Sequence, residues 1–325
     1  MNTDIYQSAE FGSTLISDSK LGTEGAEGTV LQVGSFIDKK SIDASEYCAK
    51  LYTKKSLEGT KSTERLRKLW AMIQHHKDIK NGVRHSYGWP LSELKKNGKF
   101  VGFLMKRAKK GSCSLGEFMN PNSPTLKGMN CDFDTDKGRR NRLALICNIA
   151  AGVRDLHSSG HVFVDFKPSN ILVHPSTFDV MFVDLDSIQL SNKYGKFLAP
   201  LGTPEFMPPE AYIDAPEQHR SPTWDYFSMA VIFYKMLTGI HPYCGTPKEY
   251  VTGVDTLEDK IKSRMYVGGP DKIKYQVIPP PHDKIRSYYS KLETLFMTAF
   301  QGSPSHRPTA TAWGKQVFEV MKLFK

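Results

Sequence analysis

One loop limits what this chain can fold into. The segment His161-Val162-Phe163-Val164-Asp165-Phe166-Lys167-Pro168-Ser169-Asn170-Ile171-Leu172-Val173 sets an acid, a base and an amide within six positions, ahead of an apolar, strand-like run. Before it, Leu143, Ile146, Ile149, Ala150, Val153 and Leu156 recur at helical spacing. After it, a second apolar strand ends in Phe182-Val183-Asp184-Leu185-Asp186, with Asp184 nineteen residues beyond Asp165. Such a loop can place the side chains of Asp165, Lys167 and Asn170 in one cleft. Asp, Asn and Pro also serve turns for purely local reasons, so the loop alone leaves a structural reading open.

The rest of the chain decides how large a body surrounds that cleft. Its 325 residues, 39% hydrophobic and 24% charged, can bury a large core and favour two lobes over one layer pair. Residues 1–15 are polar and read as a flexible N-terminus. Residues 16–105 then read as a small lobe of short strands (Leu21 to Val33, Glu46 to Tyr52, and segments near Trp89 to Leu91 and Phe100 to Leu104) with one helix from about Thr63 to Gln74. Residues 106–325 begin with a polar stretch from Lys109 to Gly138 and turn helical. Tyr226 to Leu237 is almost wholly apolar, and further helices fall near 290–300 and 309–323.

Several function classes are disfavoured. No run of eighteen apolar residues exists, and Met1-Asn2-Thr3-Asp4-Ile5 lacks the basic-then-apolar pattern of a leader, so a cytoplasmic protein with no membrane association is expected. Five scattered cysteines, never in C-x-x-C pairs, suggest reduced structural thiols. The neighbours His75 and His76 lack a metal-ligand spacing and read as surface residues. The formal charge of +10 comes from dispersed basic pairs with no tract interleaved with aromatics, which disfavours nucleic acid as a partner.

The loop resembles the catalytic loop of protein kinases, D-x-K-P-x-N in the serine/threonine branch. Four further stretches follow in kinase order. Asp184 stands at the D-F-G aspartate. Gly202-Thr203-Pro204-Glu205-Phe206-Met207-Pro208-Pro209-Glu210 resembles the end of an activation segment, Asp225-Tyr226-Phe227-Ser228-Met229-Ala230-Val231 resembles the start of the large lobe's central helix, and Arg307-Pro308 holds the arginine that pairs with the A-P-E glutamate. The resemblance implies an α+β, two-lobed protein-kinase-like fold with a small β-rich N-lobe and a larger helical C-lobe. It also implies that Asp165 accepts or orients the substrate hydroxyl proton, Lys167 contacts the transferring phosphate, and Asn170 and Asp184 bind magnesium. A structural Glu210–Arg307 pair is expected.

The nucleotide end is read by position. Leu21-Gly22-Thr23-Glu24-Gly25-Ala26-Glu27-Gly28-Thr29-Val30 is a glycine-rich loop in which Gly25, Gly28 and Val30 fit G-x-x-G-x-V, while Gly22 is displaced by one from the usual first glycine. An ordinary hairpin would look similar. Lys50, in Tyr47-Cys48-Ala49-Lys50-Leu51-Tyr52, resembles the V-A-I-K lysine, and Met105, Lys106 and Ala108 fall at the hinge that holds adenine. In kinases that lysine pairs with a helix glutamate. Here Glu64 lies opposite the buried stripe of Leu66, Leu69, Trp70 and Ile73, and Glu58 precedes Gly59, so the partner stays unassigned.

The wording of Asp184-Leu185-Asp186-Ser187, Gly202-Thr203-Pro204-Glu205, Gly239-Ile240-His241-Pro242-Tyr243 and Arg307-Pro308-Thr309-Ala310 with Trp313 resembles bacterial eukaryotic-type kinases related to those found with helix-hairpin-helix segments or in tellurite-resistance operons. No helix-hairpin-helix segment is read in the chain, so a DNA-linked role is not carried over. Phe163 and Val164 replace the H-R-D histidine and arginine, and Asp186 replaces the D-F-G glycine. Asp186 reads either as a charge beside magnesium or, preferred, as a turn residue. The expected activity is transfer of the γ-phosphate of ATP, with Mg2+, to serine or threonine hydroxyls of proteins, including the kinase itself. A regulatory partner or phosphatase is implied. The alternatives are a pseudokinase that binds nucleotide or a partner without turnover, and a kinase-fold enzyme acting on a small molecule.

Overall fold

The computed structural model describes residues 3–22, 25, 27–213 and 218–324. Its N-terminal part is a closed barrel of strands β1 (Thr3–Ser8), β2 (Gly12–Lys20), β3 (Gly28–Phe36), β4 (Tyr47–Tyr52), β6 (Pro90–Lys96) and β7 (Lys99–Lys106), in the order β1-β2-β3-β4-β7-β6. Helix α1 (Gly59–His75) and strand β5 (His85–Tyr87) lie between β4 and β6 in sequence. The sequence reading of a flexible segment up to residue 15 is corrected here. Strand β1 pairs with β2 over six residue pairs from Thr3↔Ser17 to Ser8↔Gly12 and with β6 at Gln7↔Lys95 and Ser8↔Leu94. Tyr6, Phe11 and Ile16 are buried with Val33, Phe36, Ala49, Leu94 and Leu104, and this apolar face is what orders the segment. The single strand read from Leu21 to Val33 is also corrected: β2 ends at Lys20 and β3 starts at Gly28, with the glycine-rich turn between them.

The second part is mostly helical. A small sheet of β8 (Cys113–Ser114), β9 (Ile171–Val173) and β10 (Val180–Phe182) joins β5 in the order β5-β10-β9-β8, so β5 ties the two parts together. After the short α2 (Pro124–Gly128) comes α3 (Asp136–Ser158), and α4 (Thr223–Thr238) runs through the middle of the core. The hairpin β11 (Leu190–Asn192) and β12 (Gly195–Phe197) precedes α4. Beyond it lie β13 (Thr246–Pro247), α5 (Leu257–Lys262), β14 (Tyr275–Val277), α6 (Asp283–Tyr288), α7 (Glu293–Gln301) and α8 (Ala310–Met321). The core packs Phe227, Phe233 and Tyr234 of α4 against Phe296, Phe300 and Trp313. Arg142 of α3 is fully buried and donates to the carbonyls of Cys131, Phe118 and Met236 at 2.8, 2.6 and 2.6 Å, fastening three segments. All five cysteines are free thiols. Among the described residues, no helix is long and apolar enough to cross a membrane.

Candidate active site

The loop between α3 and β9 turns sharply at Val164. Its φ of 64°, with Asp165 N–H donating to Phe163 O at 2.8 Å, makes a γ-turn that a β-branched residue rarely adopts. The conformation is held from α4. The carboxylate of Asp225, which is fully buried, accepts the main-chain N–H of Phe163 at 2.7 Å and of Val164 at 2.9 Å, and its Oδ2 lies 2.7 Å from His157 Nε2. Behind the loop, Phe163 packs on Phe166 and Phe182 with ring centroids 4.8 and 5.3 Å apart. An apolar ring therefore fills the place where the resemblance sets a histidine. Val164, where it sets an arginine, is buried with Met207, Ala211 and Trp224.

Asp165 emerges from that turn into a closed set of bonds. Its Oδ1 accepts both the N–H and the Oγ1–H of Thr203 at 2.8 Å, and its Oδ2 lies 2.6 Å from Lys167 Nζ. Lys167 donates in turn to Thr203 Oγ1 at 3.1 Å. Gly202 permits this approach, since a Cβ there would sit 2.8 Å from Val164 O. Asn170 closes the 3-10 turn Pro168–Asn170 and donates its side-chain N–H to Asp165 O at 3.1 Å, which leaves its amide oxygen as an acceptor. The structure thus brings Asp165, Lys167 and Asn170 together.

Asp184 has a left-handed backbone, φ 60°, at the end of β10, and its Oδ1 is 2.6 Å from Lys50 Nζ. Lys50 lies on β4 opposite Val30 of β3 and is 5% exposed. Asp186 binds the same ammonium through both oxygens, at 2.7 and 2.9 Å, and accepts the Tyr52 hydroxyl at 2.7 Å. The preferred turn role of Asp186 is corrected: its buried carboxylate is a partner of Lys50. Burial alone would lower the Lys50 ammonium, but the charges of Asp186 and Asp184 outweigh it and hold the group above its ordinary range. Burial likewise opposes ionisation of Asp186, and the Lys50 charge overcomes it, so this carboxyl sits below the usual range. On α1, Glu64 is exposed, whereas Lys68 is buried and its ammonium is pushed down to about 8 by burial, against the opposing charges of Asp186 and Glu27.

The nucleotide-end residues take these places. Thr23, Glu24 and Ala26 of the glycine-rich loop lie outside the described residues. Gly22 has φ 94°, Gly25 N–H donates to Gly28 O at 3.1 Å, and Leu21 N–H donates to Val30 O at 2.8 Å, closing the turn. Gly28 has no room for a side chain: a Cβ would come 2.4 Å from Leu51 O. Met105 is buried among Cys48, Tyr52, Leu69 and Phe103, on the face that carries Lys50. Lys106 ends β7, with its ammonium 2.7 Å from Glu46 and 4.0 Å from the centre of the Tyr47 ring, and Ala108 follows in the connection to β8. Further along, Arg307 clasps Glu210 with two bonds of 2.5 and 2.7 Å and donates to Thr223 O. His75, read as a surface residue, is half-buried, with its ring edge-on to His161 at 5.2 Å. Sequence reasoning missed the tie from Asp225 to the loop and the pairing of Asp186 with Lys50. The conspicuous signal for the second was an aspartate where kinases have glycine.

Residues 20–318 match the family described as protein kinase domain. The chain is 28% identical over 236 residues to protein kinase YegI of Escherichia coli O157:H7, across 69% of this chain and 35% of that protein. It is 32% identical over 116 residues to a probable serine/threonine-protein kinase, irlC, of Dictyostelium discoideum, across 34% of this chain and 8% of that one. It is 28% identical over 175 residues to ribosomal protein S6 kinase alpha-6 of Mus musculus, across 50% and 22%. The aligned part spans about a third of the E. coli relative's length and less of the other two.

Proposed function

Because the chain belongs to the protein kinase domain family, we propose that it transfers the γ-phosphate of ATP to serine or threonine hydroxyls of proteins, itself included. The observation that carries this reading is the knot of Asp165, Lys167 and Thr203, in which both carboxylate oxygens and the threonine hydroxyl are engaged. Such a knot fixes the carboxylate in one orientation before substrate arrives, which is how positioning lowers a barrier. A substrate hydroxyl donates to Asp165, and Lys167 turns from Asp165 Oδ2 to the charge on the transferring phosphoryl group. Thr203 keeps its bonds to Oδ1 throughout. In kinases with this threonine, serine and threonine substrates are favoured, and that likeness supports the specificity.

Lys50 is the proposed ligand of the nucleotide phosphates, beneath a loop in which Gly22, Gly25, Gly28 and Val30 form the cover and beside a hinge of Met105, Lys106 and Ala108. A carboxylate at Asp184 and an amide oxygen at Asn170 are hard donors and fit magnesium, which keeps water and substrate phosphates as its other ligands. When bound, the ion neutralises charge on the β- and γ-phosphates. The barrel with α1 is the proposed N-lobe, now extended to include residues 3–15, and residues 106–325 are the proposed C-lobe. The nearer subgroup, the kinases associated with helix-hairpin-helix segments and tellurite-resistance operons, is proposed on sequence wording, as are a cytoplasmic location and a regulatory partner or phosphatase.

The test is radiolabelled ATP with Mg2+, offered to the protein alone and to separate protein and metabolite pools, with phosphosites mapped by mass spectrometry. Asp165→Asn is the control and should lose at least about 10²-fold in turnover. Label on serine or threonine of protein in the wild type alone is the expected result. Label confined to a metabolite would point to a small-molecule kinase, and tight ATP binding without label would point to a pseudokinase.

A further inference from the structure

Trp70 is out of keeping with its helix. Its neighbours on α1, Leu69, Ala71 and Met72, are buried, whereas Trp70 is 52% exposed. A single exposed apolar side chain is ordinary, but this indole is engaged. It meets the ring of Tyr194 at 77°, with centroids 5.2 Å apart, an edge-to-face geometry that paired rings favour.

Tyr194 is equally out of keeping with its place. With Lys193 it forms the two-residue turn of the β11–β12 hairpin, next to the pair Asn192↔Gly195. Turns of this length favour Gly, Asn and Asp, so turn chemistry does not call for a tyrosine here. The hairpin is firmly placed at its stem, where Leu190 and Phe197 face each other and are both buried. Its tip is shaped by the Tyr194 N–H, which donates to Asn192 Oδ1 at 2.9 Å, and the Lys193 ammonium lies 5.1 Å from the centre of the Tyr194 ring. A second tie joins the same two elements. Ser191 N–H donates to His161 Nδ1 at 3.4 Å, and the His161 ring is edge-on to His75. Trp70 and His75 are five residues apart, about 7.5 Å along a helix, so the hairpin touches α1 at two separated points. In sequence it lies between Asp184 and Thr203. Among the described residues, α1 supplies no carboxylate to Lys50, whose partners are Asp184 and Asp186.

We propose that Tyr194 is a positioning residue for phosphoryl transfer: its ring, clasped on Trp70, fastens the hairpin to α1. The clasp holds in register the segment that carries Asp184 at one end and Thr203 at the other. This rests on the reading of Asp184 as the metal ligand and Asp165 as the catalytic carboxylate. The contact is made by the ring, so phenylalanine can replace the tyrosine. An edge-to-face pair favours the docked hairpin by about two- to tenfold, and turnover that needs the docked form falls by a similar factor when the pair is lost.

Trp70→Ala and Tyr194→Ala should each lower kcat by about three- to tenfold, and the two together should cost no more than either alone. Tyr194→Phe should keep the wild-type rate. Iodide quenching of tryptophan fluorescence reads the clasp directly, because Trp89, Trp224 and Trp313 are buried and Trp70 is the accessible indole. Tyr194→Ala should raise that quenching, and Tyr194→Phe should not. A wild-type kcat in Trp70→Ala, or single losses that multiply in the double variant, would overturn the proposal. Should Tyr194→Ala fail to fold, Trp70→Ala decides, since its side chain is mostly in solvent. If the wild type transfers no phosphate, the kinase reading fails by itself, and unchanged quenching in Tyr194→Ala would overturn the clasp as well.

Discussion

Replacing Asp225 by alanine removes the acceptor for two main-chain N–H groups, those of Phe163 and Val164, and strands both beneath the catalytic loop. A hydrogen bond to a charged, buried acceptor is worth about 1.5–3 kcal/mol, and unpartnered buried donors carry their desolvation cost as well, so a loss of about 3–5 kcal/mol is expected. For a chain of this size that corresponds to roughly 6–10 °C in melting temperature, at about 2 °C per kcal/mol. The loss should not be confined to stability. Val164, at φ 64°, keeps its left-handed turn because its N–H is held, and Asp165 is the next residue. Relaxation of the turn moves the carboxylate away from Thr203 and Lys167. Turnover should therefore fall by about 10²-fold or more, the scale of an ångström-sized misplacement. Asp225→Asn keeps an acceptor oxygen and should fall between the two. Urea unfolding and initial rates, measured on the same samples, test this. A variant within about 1 kcal/mol and twofold of wild type would refute the claim that α4 holds the loop.

Asp184→Ala should abolish magnesium-dependent turnover, checked by titrating Mg2+ against rate; unchanged kinetics would remove the residue from the metal site. Glu210→Gln leaves the buried Arg307 guanidinium without its charged partner and should cost about 3–5 kcal/mol in urea unfolding, as expected for half of a broken buried pair. Replacing Ser187, Ser191 and Tyr194 by Ala, Ala and Phe should change the initial rate by less than about tenfold, before and after phosphatase treatment, since the buried Val164 provides no guanidinium for a loop phosphate. Burial holds the His161 imidazole down to about 4 and the His241 imidazole down to about 3. The unfolded chain takes up these protons below about 6.5 and the folded protein only near those lower values, so stability should fall as pH drops through that window, with each histidine contributing a slope of up to about 1.4 kcal/mol per pH unit. Urea midpoints measured from pH 7 to pH 4 check this, and a flat profile would contradict it.

The sequence disclosed what is local. The apolar periodicity around Leu143 to Leu156 lies within α3, and Tyr226 to Leu237 lies within α4. Glu64, set aside as a partner of Lys50, is exposed, but the sequence phase of α1 is corrected in part: Trp70, expected on the buried stripe, is 52% exposed, and Lys68, Leu69, Ala71 and Met72 are the buried residues. Short or two-sided features were less legible. Helices α5 and α6 are too short to display a period, and β1 breaks the apolar-in, polar-out alternation, with Ile5 exposed and Ser8 buried beside Tyr6. Asp186 could not be read at all from its neighbours, because its partner Lys50 is 136 positions away and charge pairing across such a span leaves no periodic trace. The same holds for Asp225, whose role depends on where α4 meets the loop.

The barrel closes unevenly. Strand β1 is joined to β2 by six residue pairs but to β6 by only two, at Gln7 and Ser8. A closed sheet offers no edge to other chains, and here that protection depends on a short seam. Opening of the seam would bare the flank of β6 and one side of β1, each a template for strand addition. Amide exchange along this seam thus measures how readily the folded kinase becomes a substrate for its own aggregation.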